Sequence, residues 1–212
     1  MLNHVLLPTS HCVTFPAMQA RLNKLLAGRA EGESDREAID AKIWELYGER
    51  WAVMFTDLAG FSRRSDNFGV IHFLQVIYES FRLYLPVIEE HAGMLQKVEG
   101  DSMMVLFRRP ASALACARSM MAAGVDYNRD RPEEDQLLLS VGLGWGDVLK
   151  FGDQDVYGLE VNVACKLGEE LGQPGQIQVS HDFHAAVVDE SSVTFEAADA
   201  APLGTEHAWR VV

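Results

Sequence analysis

The predicted topology grows out of the segment Trp51-Ala-Val-Met-Phe-Thr-Asp-Leu-Ala-Gly-Phe-Ser62. Its first five residues are apolar and partly aromatic, which predicts a buried strand, and Gly60 with Ser62 predicts the turn after it. Asp57 lies where that strand gives way to the turn. An aspartate in this position serves either as a cap for backbone N–H groups or as a ligand for a hard cation. One carboxylate alone does not decide between these roles.

A long helix and a hairpin follow this strand. Apolar residues recur at intervals of three and four from Val70 to Ile88, which predicts an amphipathic helix. Two strand-like runs come next, at 94–98 and 102–107, and Glu99-Gly100-Asp101 between them is a tight hairpin signal. Helix and hairpin together favour a sheet in which the first strand lies beside the hairpin.

The remaining elements complete the predicted fold. Pro110 opens a second helix that extends to about Val125, and a strand is expected at 137–143. The pattern predicts an α+β fold with a ferredoxin-like βαββαβ core and an antiparallel-rich sheet covered by helices on one face. Additional C-terminal elements are expected, namely a segment at 145–151, a helix at 159–171, a strand at 176–180 and short pieces at 193–197 and 208–212.

Two short helices precede this core. Pro16 opens a helix predicted to stop at Gly28, and a second apolar stripe ends before Gly48. We therefore expect an N-terminal helical appendage and linker at 1–48 and the main domain at 49–212. Packing on that domain, pairing between subunits and a regulatory role for the appendage all stay open.

Charge and cysteine content exclude several classes of protein. The chain has 212 residues and a formal net charge of -13, which argues against general binding of nucleic acid or an anionic membrane. The three cysteines form no CxxC pattern, so neither a disulfide framework nor a zinc site is indicated. No apolar run approaches the length of a membrane segment, and a cytoplasmic location is expected.

The predicted topology brings a second carboxylate towards Asp57. Asp101 lies in the hairpin turn, and the hairpin and the first strand are expected to be neighbours. Two convergent carboxylates suit a hard divalent cation such as Mg²⁺, which usually takes one or two carboxylates plus substrate phosphates. The alternative for Asp101 is an ordinary Gly-Asp turn.

Three separated segments resemble the signature regions of class III nucleotidyl cyclases. They are Phe55-Thr-Asp-Leu-Ala-Gly-Phe-Ser62, Lys97-Val-Glu-Gly-Asp101 and Asp155-Val-Tyr-Gly-Leu-Glu-Val-Asn-Val-Ala-Cys-Lys166. The likeness covers roughly residues 50 to 182, and three motifs in the right order are far more specific than one. The resemblance implies that 49–212 is a cyclase catalytic domain.

The family resemblance also implies a mechanism and an assembly. It implies a homodimer with two sites shared between subunits, each turning a nucleoside triphosphate into a 3′,5′-cyclic monophosphate and pyrophosphate. Asp57 and Asp101 would hold two divalent cations, Mg²⁺ or Mn²⁺, that activate the ribose 3′-hydroxyl and neutralise the phosphates. Gly60, Phe61 and Ser62 would lie in the phosphate-binding turn.

Base choice in the family rests on two positions that are Lys97 and Asp155 in this chain. A lysine donor and a carboxylate acceptor match the N1 acceptor and N6 donor of adenine, so ATP is the expected substrate. Asn162 matches the ribose-orienting asparagine, and Lys166 replaces the transition-state arginine of the family. Because lysine lacks the planar fork of arginine, a slower cyclase or a rearranged site is expected.

Other readings of the sequence stay open. The chain could be a cyclase of other base preference, acting on GTP or a pyrimidine nucleotide, or a degenerate cyclase that binds nucleotide or dimerises for regulation. A ferredoxin-like nucleic-acid binder is a poor fit because of the acidic charge. A regulatory partner could act through residues 1–48.

Overall fold

The computed structural model describes residues 15–32, 35–58, 69–152, 155–189 and 192–212. The helices are α1 Phe15–Glu31, α2 Arg36–Tyr47, α3 Val70–Glu90, α4 Pro110–Asn128, α5 Leu159–Cys165 and α6 His181–Val187. The strands are β1 Gly48–Leu58, β2 Met94–Glu99, β3 Ser102–Phe107, β4 Leu139–Phe151, β5 Asp155–Tyr157, β6 Ile177–Ser180, β7 Phe195–Ala197 and β8 Ala208–Val211. Directly after α5, a π-helical turn runs over Lys166–Glu170.

One mixed sheet organises the chain, with the strand order β2-β3-β1-β4-β6-β8-β7 and with β5 paired to β4. The first four strands in that order are the arrangement of a ferredoxin-like βαββαβ core, so the predicted fold class is confirmed. All pairings are antiparallel except β4 with β6. The C-terminal strands extend this core on the β4 side.

Alternation along β1 separates two apolar layers. Ala52 and Met54 face a large core formed with α3, α4 and α6, whereas Trp51 and Val53 face a smaller cluster that includes residues of α5. Successive side chains of a strand point to opposite faces, so a fully buried strand is apolar on both. The two core helices α3 and α4 pack on one face, as predicted, and the additional C-terminal helix α5 covers the other face.

A row of glycines on β4 allows α5 to approach the sheet closely. A Cβ atom on Gly142 would lie 2.1 Å from the carbonyl oxygen of Ala164, and one on Gly144 would lie 2.6 Å from that of Glu160. These contacts are too short for any side chain, so the close approach requires glycine. The buried Glu160 then fixes the helix, since its carboxylate accepts hydrogen bonds from the Trp145 N–H (2.9 Å) and the Ser180 hydroxyl (2.6 Å).

Several element boundaries differ from those predicted. Helix α1 does not stop at Gly28 but continues to Glu31. The segments 137–143 and 145–151, predicted as separate pieces, are joined in the single strand β4, which begins at Leu139, because apolar side chains and glycines alternate across both of its buried faces. Helix α6 follows β6 directly, capped by the Ser180 hydroxyl, and was not predicted.

Helices α1 and α2 pack on the main domain at the far end of β4. Leu22, Ile43 and Tyr47 share an apolar cluster with Phe151, and the Tyr47 hydroxyl donates to the Met18 carbonyl oxygen (3.1 Å). Arg29 and Asp40 join the two helices through two hydrogen bonds of 2.5 and 3.0 Å. The division of the chain into 1–48 and 49–212 stays a prediction.

Candidate functional site

The pairing of β1 with β3 brings Asp57 and Asp101 together. Thr56 pairs with Met103, so Asp57 lies beside Ser102, whose hydroxyl is 3.5 Å from Asp57 Oδ1. Asp101 occupies the two-residue turn of the β2–β3 hairpin, where Gly100 takes φ 61°. The charge of Asp101 adds to the raised pKa of Asp57, and the Leu58 N–H moderates the pKa shift of both carboxyl groups, so the two side chains lie close to each other.

Burial and mutual repulsion disfavour the charged forms of these two groups. Desolvation raises the pKa of Asp57 to about 6, with further contributions from the negative charges of Asp101 and Glu169. Burial also raises the pKa of Asp101, and Glu169 adds to that shift. A half-buried pair of like charges is a costly arrangement without a counter-ion.

An unpaired oxygen points to what such a counter-ion would be. Asp101 Oδ2 is buried and makes no hydrogen bond to any described residue. Two converging carboxylates with a free oxygen fit a hard divalent cation that completes its shell with substrate phosphates. No group of three or more His, Cys, Asp or Glu within the described ranges could by itself hold a metal ion, so the pair would depend on such outside ligands.

Lys97 and Asp155 form a second polar cluster. Lys97 Nζ lies 2.6 Å from Glu99 Oε1, and this pair, followed by the charge of Asp155, raises the pKa of Lys97. Asp155 accepts hydrogen bonds from its neighbour's backbone, the Val156 N–H (3.0 Å), and from the Tyr157 hydroxyl (2.9 Å). The two predicted base-reading residues therefore lie close enough for the charge of Asp155 to act on Lys97.

Asn162 and Lys166 follow one another by one turn, as predicted. Asn162 is exposed on α5, and the backbone N–H of Lys166 donates to its carbonyl oxygen. The π-helical turn begins at Lys166, where the Leu171 N–H reaches back to the Lys166 carbonyl oxygen (2.9 Å). Single π-helical turns are frequent at functional sites, because they change which side chains face one direction.

The predicted phosphate-binding turn is not described by the structure. Gly60, Phe61 and Ser62 lie outside the described residues, so their assignment stays a prediction.

Arg108 makes two contacts with β1: it lies 3.1 Å from Glu49, and its guanidinium group is 3.6 Å from the centre of the Trp51 ring. This arginine is thus engaged in the fold.

Three residues around the site were not predicted from the sequence, namely Glu99, Tyr157 and Glu169. Glu99 and Tyr157 each lie two positions from a predicted base-reading residue, and strand alternation could have placed each on the same face as its partner. The charge of Glu169 raises the pKa of both Asp57 and Asp101, and its carboxylate accepts a hydrogen bond from the Cys165 thiol (3.3 Å). No sequence signal indicates Glu169, because the π-helical turn decides where it points.

Comparison with known proteins identifies relatives that are similar in sequence and others that are similar in fold. The family model described as the adenylate and guanylate cyclase catalytic domain matches residues 47–208. An adenylate cyclase of Mycobacterium tuberculosis is 28% identical over 162 residues, which is 70% of this chain and 35% of that protein. The chain spans 12% to 35% of the length of the curated relatives it matches.

Solved structures agree on the architecture. An adenylate/guanylate cyclase/hydrolase from Silicibacter pomeroyi has a TM-score of 0.68 at 26% identity, over 78% of this chain and 97% of that one. The guanylyl cyclase Cya2 has a TM-score of 0.64 at 23% identity, over 77% of this chain and 92% of that one. Since an adenylate/guanylate cyclase/hydrolase and a guanylyl cyclase share the fold, the fold by itself does not determine which base is bound.

Among the described residues, no helix has the length and apolar character needed to cross a membrane.

The electrostatics of Asp57 predict a stability effect that depends on pH and metal. The folded-state pKa is raised above the usual 3.8, so the ionised carboxylate costs stability above pH 6, and the cost disappears as the pH falls below about 4. In EDTA at pH 7.5, Asp57→Asn should raise the free energy of unfolding by about 1 kcal/mol, a value reduced for partial exposure. Chemical denaturation at pH 7.5 and pH 4 measures the difference.

The matched control for this prediction is Asp199→Asn, which removes a carboxylate from an exposed position of the C-terminal segment. It should leave the stability unchanged within error at both pH values. Adding Mg²⁺ or Mn²⁺ should stabilise the wild type more than Asp57→Asn, because the cation offsets the repulsion. If Asp57→Asn and Asp199→Asn were equally stable in EDTA at pH 7.5, the predicted destabilisation by the ionised Asp57 carboxylate would be contradicted.

Proposed function

The chain belongs to the adenylate and guanylate cyclase catalytic domain family, and we propose that it converts ATP to 3′,5′-cyclic AMP and pyrophosphate. The observation that carries the proposal is the pair of neighbouring half-buried carboxylates Asp57 and Asp101, with one Asp101 oxygen left unpaired. Two facing half-buried carboxylates destabilise a fold that does not use them. A divalent cation bound together with a triphosphate would offset the charge of these two carboxylates.

Asp57 and Asp101 would hold two divalent cations, Mg²⁺ or Mn²⁺. Such cations, when bound, favour ionisation of the ribose 3′-hydroxyl and neutralise charge on the phosphates. The carboxylates must be ionised to act as ligands, and the raised pKa of Asp57 means that protons compete with the metal in mildly acidic solution. The exposed amide of Asn162 would orient the ribose, and Lys166 would contact the phosphate at which the 3′-oxygen attacks.

The proposed base choice follows from Lys97 and Asp155. Lys97 would donate to N1 of adenine and Asp155 would accept from its N6 amino group. The present partner of Lys97 is Glu99 in an ion pair whose side chains are both more than a third exposed, so exchanging it for the base costs little. Asp155 can keep its bond from the Tyr157 hydroxyl, because each carboxylate oxygen has two acceptor sites.

A homodimer with shared sites fits the distribution of apolar surface. Several apolar side chains of α3 and of the edge strand β2 are exposed, with Ile71 at 75%, Leu74 at 53% and Val98 at 42%. Exposed large apolar side chains of this kind fit a surface that a partner covers. The Lys97 cluster of one subunit would then meet the Asp57 and Asp101 pair of the other.

A nucleotide-binding domain without turnover is the second candidate. The observation that favours it is Lys166, because a lysine at this position cannot grip two phosphate oxygens as an arginine fork does. Metal-dependent binding of ATP with no product would support this candidate.

The direct test is product analysis. Purified protein is incubated separately with ATP, GTP, UTP and CTP, each with Mg²⁺ or Mn²⁺, and products are identified by mass spectrometry. We expect cyclic AMP from the wild type and at least a hundredfold less from Asp57→Ala, because loss of a metal ligand removes charge stabilisation in the transition state. Asp126→Ala, an exposed carboxylate paired with Arg129, is the matched control and should retain activity.

A cyclic product from GTP alone would overturn the proposed base choice. Binding of ATP without any cyclic product would favour the second candidate instead.

Lys166→Arg should increase turnover about tenfold. Restoring the planar fork adds a second hydrogen bond to the developing phosphate charge, and such charge-assisted bonds are worth on the order of 1 to 2 kcal/mol. The change should appear in kcat rather than KM, measured by the initial rate of cyclic AMP formation. Lys24→Arg on α1 serves as a control with no expected effect, and an equal or lower rate for Lys166→Arg would remove Lys166 from its assigned position.

Shared sites predict complementation between inactive subunits. Asp57→Ala and Lys97→Ala subunits, each inactive alone, form heterodimers that contain one intact site and one doubly damaged site. Random pairing of equal amounts should restore roughly a quarter of wild-type activity, since half of the dimers are mixed and each has one of two sites. Separate affinity tags confirm that heterodimers form; mixed dimers without activity would exclude sites shared between subunits.

A further inference from the structure

A large cavity lies between the N-terminal helices and the β4–β5 hairpin, away from the Asp57 and Asp101 pair. Its volume is about 980 Å³. The apolar part of its wall consists of Leu22, Leu26, Ile43, Trp44, Leu149 and Phe151. Asp155, one of the two predicted base-reading residues, and Tyr157 complete the wall.

The size and lining of this open cavity fit a small-molecule site. Small-molecule sites occupy roughly 300 to 1,000 Å³, are mostly apolar and contain a few well-placed polar groups. The cavity has this character, because Gln19, Asn23 and the Arg29–Asp40 pair add polar groups to the apolar wall.

Charge and ring content restrict the class of ligand. Arg29 is neutralised by its two hydrogen bonds to Asp40, so Asp155 leaves the wall with a net negative charge. An anion is therefore disfavoured. Trp44 and Tyr157 are 44% and 55% exposed, and their free ring surfaces suit an aromatic ring or a cation.

We propose that this cavity binds a planar aromatic small molecule that is neutral or positively charged, and that its occupancy alters nucleotide binding through Asp155. The second clause rests on the proposed function. The route is short, because the rings of Tyr47, Phe151 and Tyr157 contact in series at 4.9 and 5.7 Å. The Tyr157 hydroxyl then donates to Asp155.

The binding clause is tested by titrating the protein with the neutral dye 6-propionyl-2-dimethylaminonaphthalene and following its fluorescence. Asn23→Trp/Leu26→Trp places two indoles in the wall from positions that are exposed on α1, so folding should be retained. Ala20→Trp/Ala27→Trp is the matched control, since both positions are exposed on the same helix and outside the wall. We expect saturable binding to the wild type and control, and at least tenfold weaker binding to the first variant.

Two outcomes overturn the binding clause. One is the absence of saturable dye binding to the wild type. The other is equal dye affinity in both double variants, which would place the dye elsewhere, for instance on the exposed apolar surface of α3 and β2. Neither outcome depends on cyclase activity, so failure of this site and failure of the proposed function are distinguishable.

The coupling clause is tested with 3′-deoxy-ATP, which lacks the attacking hydroxyl and so cannot be cyclised. Saturating dye should change its dissociation constant at least threefold, and the nucleotide should change the dye affinity by the same factor, because binding linkage is reciprocal. Tyr157→Phe keeps the ring but removes the bond to Asp155, so the coupling should fall while dye binding remains. Unchanged nucleotide affinity in the presence of dye would overturn the coupling.

Discussion

Two neighbouring half-buried carboxylates place the strongest constraint on this molecule. Asp57 and Asp101 are 44 positions apart in the sequence, and they meet only because β1 pairs with β3 in one register. A shift of one residue would turn Asp57 to the opposite face of the sheet. The unfavourable charge at this point is therefore fixed by the same hydrogen bonds that build the centre of the sheet. The fold keeps a costly arrangement in place because its most buried strands hold it.

The second constraint is the close contact of α5 with β4. Gly142 and Gly144 remove the side chains that would hold the helix away, and Glu160 then anchors it through buried hydrogen bonds to β4 and β6. Burial raises the pKa of Glu160, so its hydrogen bonds are needed to offset the cost of a buried acid. This anchor sets the position of Asn162 and Lys166, which come two and six residues later. The candidate catalytic residues thus depend on a carboxylate that takes no part in the proposed chemistry.

The N-terminal helices α1 and α2 pack next to the β4–β5 hairpin, which carries Asp155, and do not form a separate layer. Tyr47 ends α2, and its ring packs on Phe151 at the end of β4, next to the hairpin that carries Asp155. The Arg29–Asp40 pair holds α1 against α2, and the cavity between these helices and the β4–β5 hairpin remains open. A movement of the helix pair would therefore reach Asp155 before it reached Asp57 and Asp101. If Asp155 reads the base as proposed, base recognition is the step that these helices are best placed to influence.

The local pattern of the sequence was sufficient for the βαββαβ core, because strand alternation, helical periodicity and the Gly100-Asp101 turn each act over a few residues. The sequence also pointed to Asp57, Asp101, Lys97 and Asp155 through the resemblance of its motifs to a known family, and the roles of these residues stay predictions. It did not predict α5 on the second face, the single long strand β4 or the role of Glu160, since these depend on contacts between elements distant in sequence. Only the tertiary structure decided that Glu169 acts on both aspartates and that a cavity adjoins Asp155. The physical reason is that periodicity fixes which face a side chain occupies, whereas packing fixes what that face meets.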